Sequence, residues 1–355
     1  MFYLIKMLIK TNLHLNSEIK NKYNMGLGLL KVILALDVII SHNFNKNSTN
    51  NKFLLFCLRR RKVHVPSFII MSFYFMYKEL IKPNINKIKK RFERLIIPYF
   101  FWPIIIWILN NILKLIYKIE ISSSLNDLKY QILWGNNFII QFWFLWDLII
   151  ITLIFIIIIF LLKENSLFFL QLLGIFSYIL QYSGINKKIY LNLSIEKREC
   201  LGRLAEMIPY SVTGFTLAFF EVINKLQNNR VKTFFFSIIF FCLIEKYEIF
   251  INIDGVAYSG FKYNAHSICL IFLFSIFPTE KISNELIINF LMNIIKYTGG
   301  VFYLHWSIIC YFKNFVIFIQ EGSFIGCIIV YFICYMICFI GIKYLENTRF
   351  KYLFF

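Results

Sequence analysis

Charge is scarce in this chain. Only 16% of its residues are Asp, Glu, Lys or Arg, and the acidic ones number 19 against 38 basic ones, for a net charge of +19. An ordinary soluble domain carries about a quarter charged residues and roughly half apolar ones. A composition 59% apolar with a mean hydropathy of +0.66 lies outside that class. The same figures exclude disorder, which requires too little apolar surface to build a core. Paired-cysteine spacing is also missing. None of the eight cysteines stands in a Cys-x-x-Cys pair, and most fall inside apolar runs, where Cys acts as a small hydrophobe. Neither a disulfide framework nor a metal site is therefore expected. No internal repeat of the inverted-repeat kind is visible. A polytopic membrane protein is the class that remains. In that class a basic surplus belongs to cytoplasmic loops and anionic lipid, so no nucleic-acid partner is implied.

A helix needs about 20 mostly apolar residues to cross a hydrocarbon core roughly 30 Å thick. Ten stretches qualify, near 26–44, 63–80, 95–117, 138–162, 167–184, 205–224, 232–251, 263–279, 297–319 and 324–345. They predict an all-α, polytopic membrane bundle of about ten transmembrane helices with no room for a sizeable soluble domain. The start, MFYLIKMLIK, is broken by Lys6 and Lys10 and followed by no small-residue cleavage site. It reads as part of an interfacial lead-in over 1–24 rather than a signal peptide. A membrane domain over 25–345 and a tail over 346–355 complete the expected division. Lys and Arg lean weakly toward a cytoplasmic N-terminus, against which the run Arg59–Lys62 on the outer side stands out.

Ionisable side chains inside the spans carry the chemical signal, because each is costly there and usually faces a cavity. The first span holds Lys31, Asp37 and His42. Lys31 and His42 are eleven residues apart, so they share a helical face to within about 20° at a separation of roughly 16 Å. Snorkelling of Lys31 and an interfacial His42 is the plain alternative. Asp37 lies on another face and suits a hydrogen bond to a neighbouring helix. Ahead of the third span, Lys87, Arg91 and Arg94 follow i, i+4, i+7 and project from one face, which suits phosphate binding or a positive-inside anchor. Trp143, Trp146 and Asp147 open the fourth span, where tryptophans commonly form an interfacial belt. Arg203 and Glu206, three apart, suit an ion pair along one helix. His305 stands between Leu304 and Trp306, and a lone His in a bundle is more often a satisfied polar core residue than a catalyst.

Taken in order, these elements resemble the acyltransferase 3 family of integral-membrane acyltransferases. Lys31 and His42 match its first-span cation and histidine. Val65, Pro66, Phe68, Ser72 and Phe73–Phe75 match its VP-FF--SG[FY] element, and Lys90, Arg91, Arg94, Pro98 and Tyr99 its KR--R---PY segment. Trp143–Leu145 match WFL, and Tyr303, Leu304 and His305 match YL-H. The resemblance runs from about residue 24 to 345. Two departures stand out: Lys31 replaces the usual Arg and loses the guanidinium fork, and Phe73 stands where the family has Gly, which puts close backbone approach there in question.

The resemblance implies transfer of an acyl group, acetyl above all, from acyl-CoA to a hydroxyl of a cell-surface or exported polysaccharide, at a multi-pass position in a bacterial plasma membrane. In that reading His42 is the catalytic base. Lys31, Arg91 and Arg94 bind acyl-CoA, while Ser72, Trp143, Tyr303 and His305 line the substrate path. Acyl-CoA is a co-substrate and no resident cofactor or metal is implied. The partners are the glycan or lipid-linked glycan acceptor and membrane lipids. Two rival readings remain: a transporter or flippase of a glycan precursor, which has no need of a base, and a non-catalytic member of the family.

Overall fold

The computed structural model describes residues 24–43, 63–81, 85–117, 124–135, 142–182, 195–247, 261–277, 285–312, 323–345 and 347–354. The expected lead-in lies outside them save for Asn24, and the Arg59–Lys62 run lies outside them altogether. Among the described residues the regular structure is entirely helical. The helices are α1 (Met25–Asn43), α2 (His64–Ile81), α3 (Ile85–Tyr117), α4 (Leu125–Trp134), α5 (Trp143–Leu162), α6 (Ser166–Tyr182), α7 (Ile195–Phe219), α8 (Val222–Gln227), α9 (Arg230–Tyr247), α10 (Phe261–Ser275), α11 (Glu285–Lys296), α12 (Thr298–Phe312) and α13 (Phe324–Leu345). Short 3₁₀ turns at Lys163–Asn165 and Arg349–Leu353 follow α5 and α13.

Each of the ten apolar stretches holds a helix. Four stretches among the described residues are long and apolar enough to cross a membrane: Met25–Asn43, Ile85–Ile116, Trp143–Gln181 and Phe324–Leu345. Beyond Thr152 the run of α5 is apolar on every face and exposes Ile157, Phe160 and Leu161, as a helix wrapped in lipid does. Helix α4 was not anticipated, since LNDLKYQILW is too short and too polar to stand out as a span. Its local signals are nonetheless complete. Ser124 Oγ accepts from the Asp127 backbone N–H at 3.2 Å, Asp127 Oδ2 accepts from the Ser124 N–H at 2.9 Å, and Gly135 closes the helix at φ 67°. The Tyr99 hydroxyl, within 2.8 Å of the carbonyls of Gln131 and Ile132, ties α4 to α3.

Helix α1 is central: α2, α10, α11, α12 and α13 all pack on it. Between helices in lipid, association depends on close packing and polar contacts rather than on escape from water. One close seam joins α7 to α2, where a Cβ on Gly214 would run into the carbonyl of Ile70. Close backbone approach thus comes from Gly214 on α7. Phe73 fills space instead, fully buried and 4.7 Å from the ring of Phe155 on α5. Pro209 interrupts α7 and cannot donate to the carbonyl of Ala205, four residues back. Gln181 Nε2 of α6 supplies that hydrogen bond at 2.7 Å.

Candidate active site

One end of the site is cationic. Helix α3 begins at Ile85, so the basic segment and the apolar span are one continuous helix, and the i, i+4, i+7 spacing of Lys87, Arg91 and Arg94 holds on it. Arg91 Nη2 donates to Ser72 Oγ on α2 at 3.1 Å, and its guanidinium lies 5.7 Å from the centroid of Phe73. Its Nε is buried with no hydrogen-bond acceptor among the described residues. Lys31 Nζ sits 4.8 Å from the centroid of Phe75, with the charges of Arg91 and Arg94 within electrostatic range. Glu79 offsets part of this charge at Arg91. Cations of α1 and α3 within electrostatic range repel one another, and an anion between them would relieve that repulsion. Lys31 therefore has two guanidinium charges of α3 within electrostatic range, which simple snorkelling does not require.

The other end is built on imidazoles. His42 is in the last turn of α1, half-buried, and its ring stacks on that of His305 from α12 with centroids 5.4 Å apart. Trp306 meets His42 edge-on at 5.2 Å. His305 is fully buried, and its Nδ1 is 2.7 Å from the carbonyl of Phe302. A carbonyl only accepts, so Nδ1 carries the proton and Nε2 presents a lone pair. That Nε2 has no hydrogen-bond donor among the described residues. A buried lone pair left open beside a second imidazole is an acceptor position for a hydroxyl.

Between the two ends runs an aromatic wall. Phe302 lies 5.7 Å from Phe68, 5.3 Å from Phe144 and 5.9 Å from His305. Tyr303 is buried, 6.1 Å from Phe142, and within electrostatic range of Arg94. Ser72 faces Arg91. Trp143 is half-buried, with the Arg203 guanidinium 5.7 Å and the Phe144 ring centroid 6.1 Å from its ring.

Two polar pairs join different helices. Asp37 bonds a neighbouring helix, as its face suggested, and the partner is His64, whose Nδ1 donates to Oδ2 at 3.0 Å. His64 directly precedes the Val65-Pro66 element and is buried; its place inside the second apolar stretch was the signal available. Arg203, whose spacing suited Glu206 on its own helix, pairs across helices with Asp147 on α5, its Nε 3.5 Å from Oδ2. The reason is burial. The Asp147 carboxylate is wholly enclosed, and an enclosed charge needs a counter-charge. Arg203 Nη2 also donates to the carbonyl of Trp134 at 2.8 Å, joining α4 to this pair.

Residues 24–345 match a family profile described as an acyltransferase domain. No curated protein and no solved structure matches the chain.

Proposed function

This chain belongs to the acyltransferase 3 family of membrane acyltransferases, and on that premise we propose that it moves an acetyl group from acetyl-CoA to a hydroxyl of a cell-surface or exported polysaccharide. The observation that carries the reading is the two-ended layout of α1. Lys31 joins Arg91 and Arg94 at one end, and His42 stacks on His305 about three helical turns away. A coenzyme A thioester has the same layout, phosphates at one end and the acyl carbonyl at the other, with the extended pantetheine arm between.

In this reading the cations hold the phosphates as charge-assisted contacts. The Phe68, Phe144 and Phe302 wall flanks the arm, and His42 takes the proton of the acceptor hydroxyl. The oxygen then attacks the thioester carbonyl, the carbon–sulfur bond breaks, and the thiolate leaves with the proton passed through the imidazole. His305 Nε2 orients the hydroxyl. The ten helical stretches would cross the plasma membrane as a single domain over 25–345, with the N-terminus on the cytoplasmic side where acyl-CoA is made.

The test is transfer of labelled acetyl from acetyl-CoA to a polysaccharide acceptor in vesicles carrying the protein, with the glycan read by mass spectrometry. Labelled glycan in wild-type vesicles and none with His42→Ala supports the reading. Equal labelling in both overturns it, and altered glycan export with no labelling favours the transporter reading.

A further inference from the structure

We propose that Tyr352, in the segment after α13, is a positioning residue that holds Arg94 at the donor end of the site. The inference rests on the acyl-CoA reading. The family match ends at residue 345, so this segment lies beyond the matched domain. It is nevertheless packed into the bundle. Thr348 Oγ1 accepts from the Phe350 N–H at 3.2 Å and starts the 3₁₀ turn. The Leu353 carbonyl accepts from Trp102 Nε1 of α3 at 3.2 Å, and the Phe354 ring lies 5.8 Å from that indole. A Cβ on Gly300 of α12 would collide with the Phe354 backbone, and one on Gly341 of α13 with its ring, so both helices leave room for this residue. Tyr352, Leu353 and Phe354 are all buried.

The docked segment sets the Tyr352 ring beside Arg94, whose guanidinium lies 5.7 Å from its centroid. Lys351 Nζ approaches the same ring at 5.8 Å, and Arg349 reaches Glu93, the residue preceding Arg94, at 3.9 Å. Arg94 is otherwise exposed, and a free arginine loses considerable rotamer freedom when it engages a ligand. An aromatic face that fixes the guanidinium beforehand removes part of that loss. Tyr352 therefore acts on phosphate affinity through Arg94, and not on the chemical step.

The experiment is steady-state acetyl-CoA kinetics on the full chain in vesicles. Tyr352→Leu keeps apolar bulk and removes the ring. It is expected to raise KM for acetyl-CoA about two- to fivefold, the range of one exposed cation–π contact, with kcat held. Tyr352→Phe keeps the face and restores the wild-type KM. In an Arg94→Ala background Tyr352→Leu adds nothing further, because the two residues act as one unit. A rise of equal size in that background, a Phe variant as impaired as the Leu variant, or an unchanged KM in Tyr352→Leu overturns the inference. Should the Leu variant fail to insert, Tyr352→Met takes its place. A wild-type protein with no saturable use of acetyl-CoA sinks the donor reading and this inference with it. A saturable wild type with an indifferent Tyr352→Leu sinks the inference alone.

Discussion

The imidazole of His42, in the last turn of α1, stacks on that of His305 from α12 at 5.4 Å between centroids and 29° between planes. The two residues come from opposite ends of the sequence, yet one carries its open lone pair beside the other. Removing His42 should stop transfer. His42→Ala is expected to lower the transfer rate by about 10²–10⁴, the usual contribution of a positioned base, with insertion intact because the residue is only half-buried. Transfer of labelled acetyl at matched expression checks this.

His305→Phe tests the second imidazole. It keeps a flat ring against His42 and removes the Nε2 acceptor. Loss of a hydrogen bond to a reacting group at about 1.5–3 kcal/mol corresponds to a fall of roughly ten- to a hundredfold. That fall should appear in kcat, with KM for the acyl donor unaltered. A variant as active as wild type would return His305 to the role of a satisfied core histidine.

Arg91→Ala and Arg94→Ala should act on the donor. Each is expected to raise KM for acetyl-CoA by roughly tenfold or more through loss of a charge-assisted phosphate contact. Acceptor KM should stay as it is. Scrambled topology by protease accessibility, with donor KM unchanged in the correctly inserted fraction, would favour a purely anchoring role for this segment.

Lys31 separates convergence from snorkelling. Lys31→Met keeps the stem and removes the charge, so insertion should be no worse and donor affinity should drop. Lys31→Arg should match or exceed wild type, since the fork binds phosphate at least as well as an ammonium. Equal donor KM for Met and wild type would remove Lys31 from the site.

Arg203→Ala should damage the fold rather than the chemistry. It strips the enclosed Asp147 carboxylate of its ion-pair partner, a loss on the order of 3–5 kcal/mol for a buried pair broken on one side. A lowered thermal midpoint in detergent, partly recovered by adding Asp147→Leu, is the expected result.

Much of this protein was legible in its amino acids. Apolar runs located the long helices, though not α4 or α11, because a backbone surrounded by hydrocarbon must satisfy its own hydrogen bonds and a helix does so locally. The eleven-residue interval from Lys31 to His42 and the i, i+4, i+7 cations needed only helical periodicity, a property of neighbouring residues. Order along the chain was enough to suggest the family. The tertiary structure decided the partnerships. Sequence spacing could offer Arg203 a partner only on its own helix, whereas packing α5 against α7 enclosed Asp147 and drew Arg203 across to it. It could not show that His42 meets His305, that Asp37 answers His64, or that Tyr352 comes back to Arg94. Those contacts join residues far apart in the chain, and which helix faces meet is fixed by close packing at positions such as Gly214, not by any local propensity.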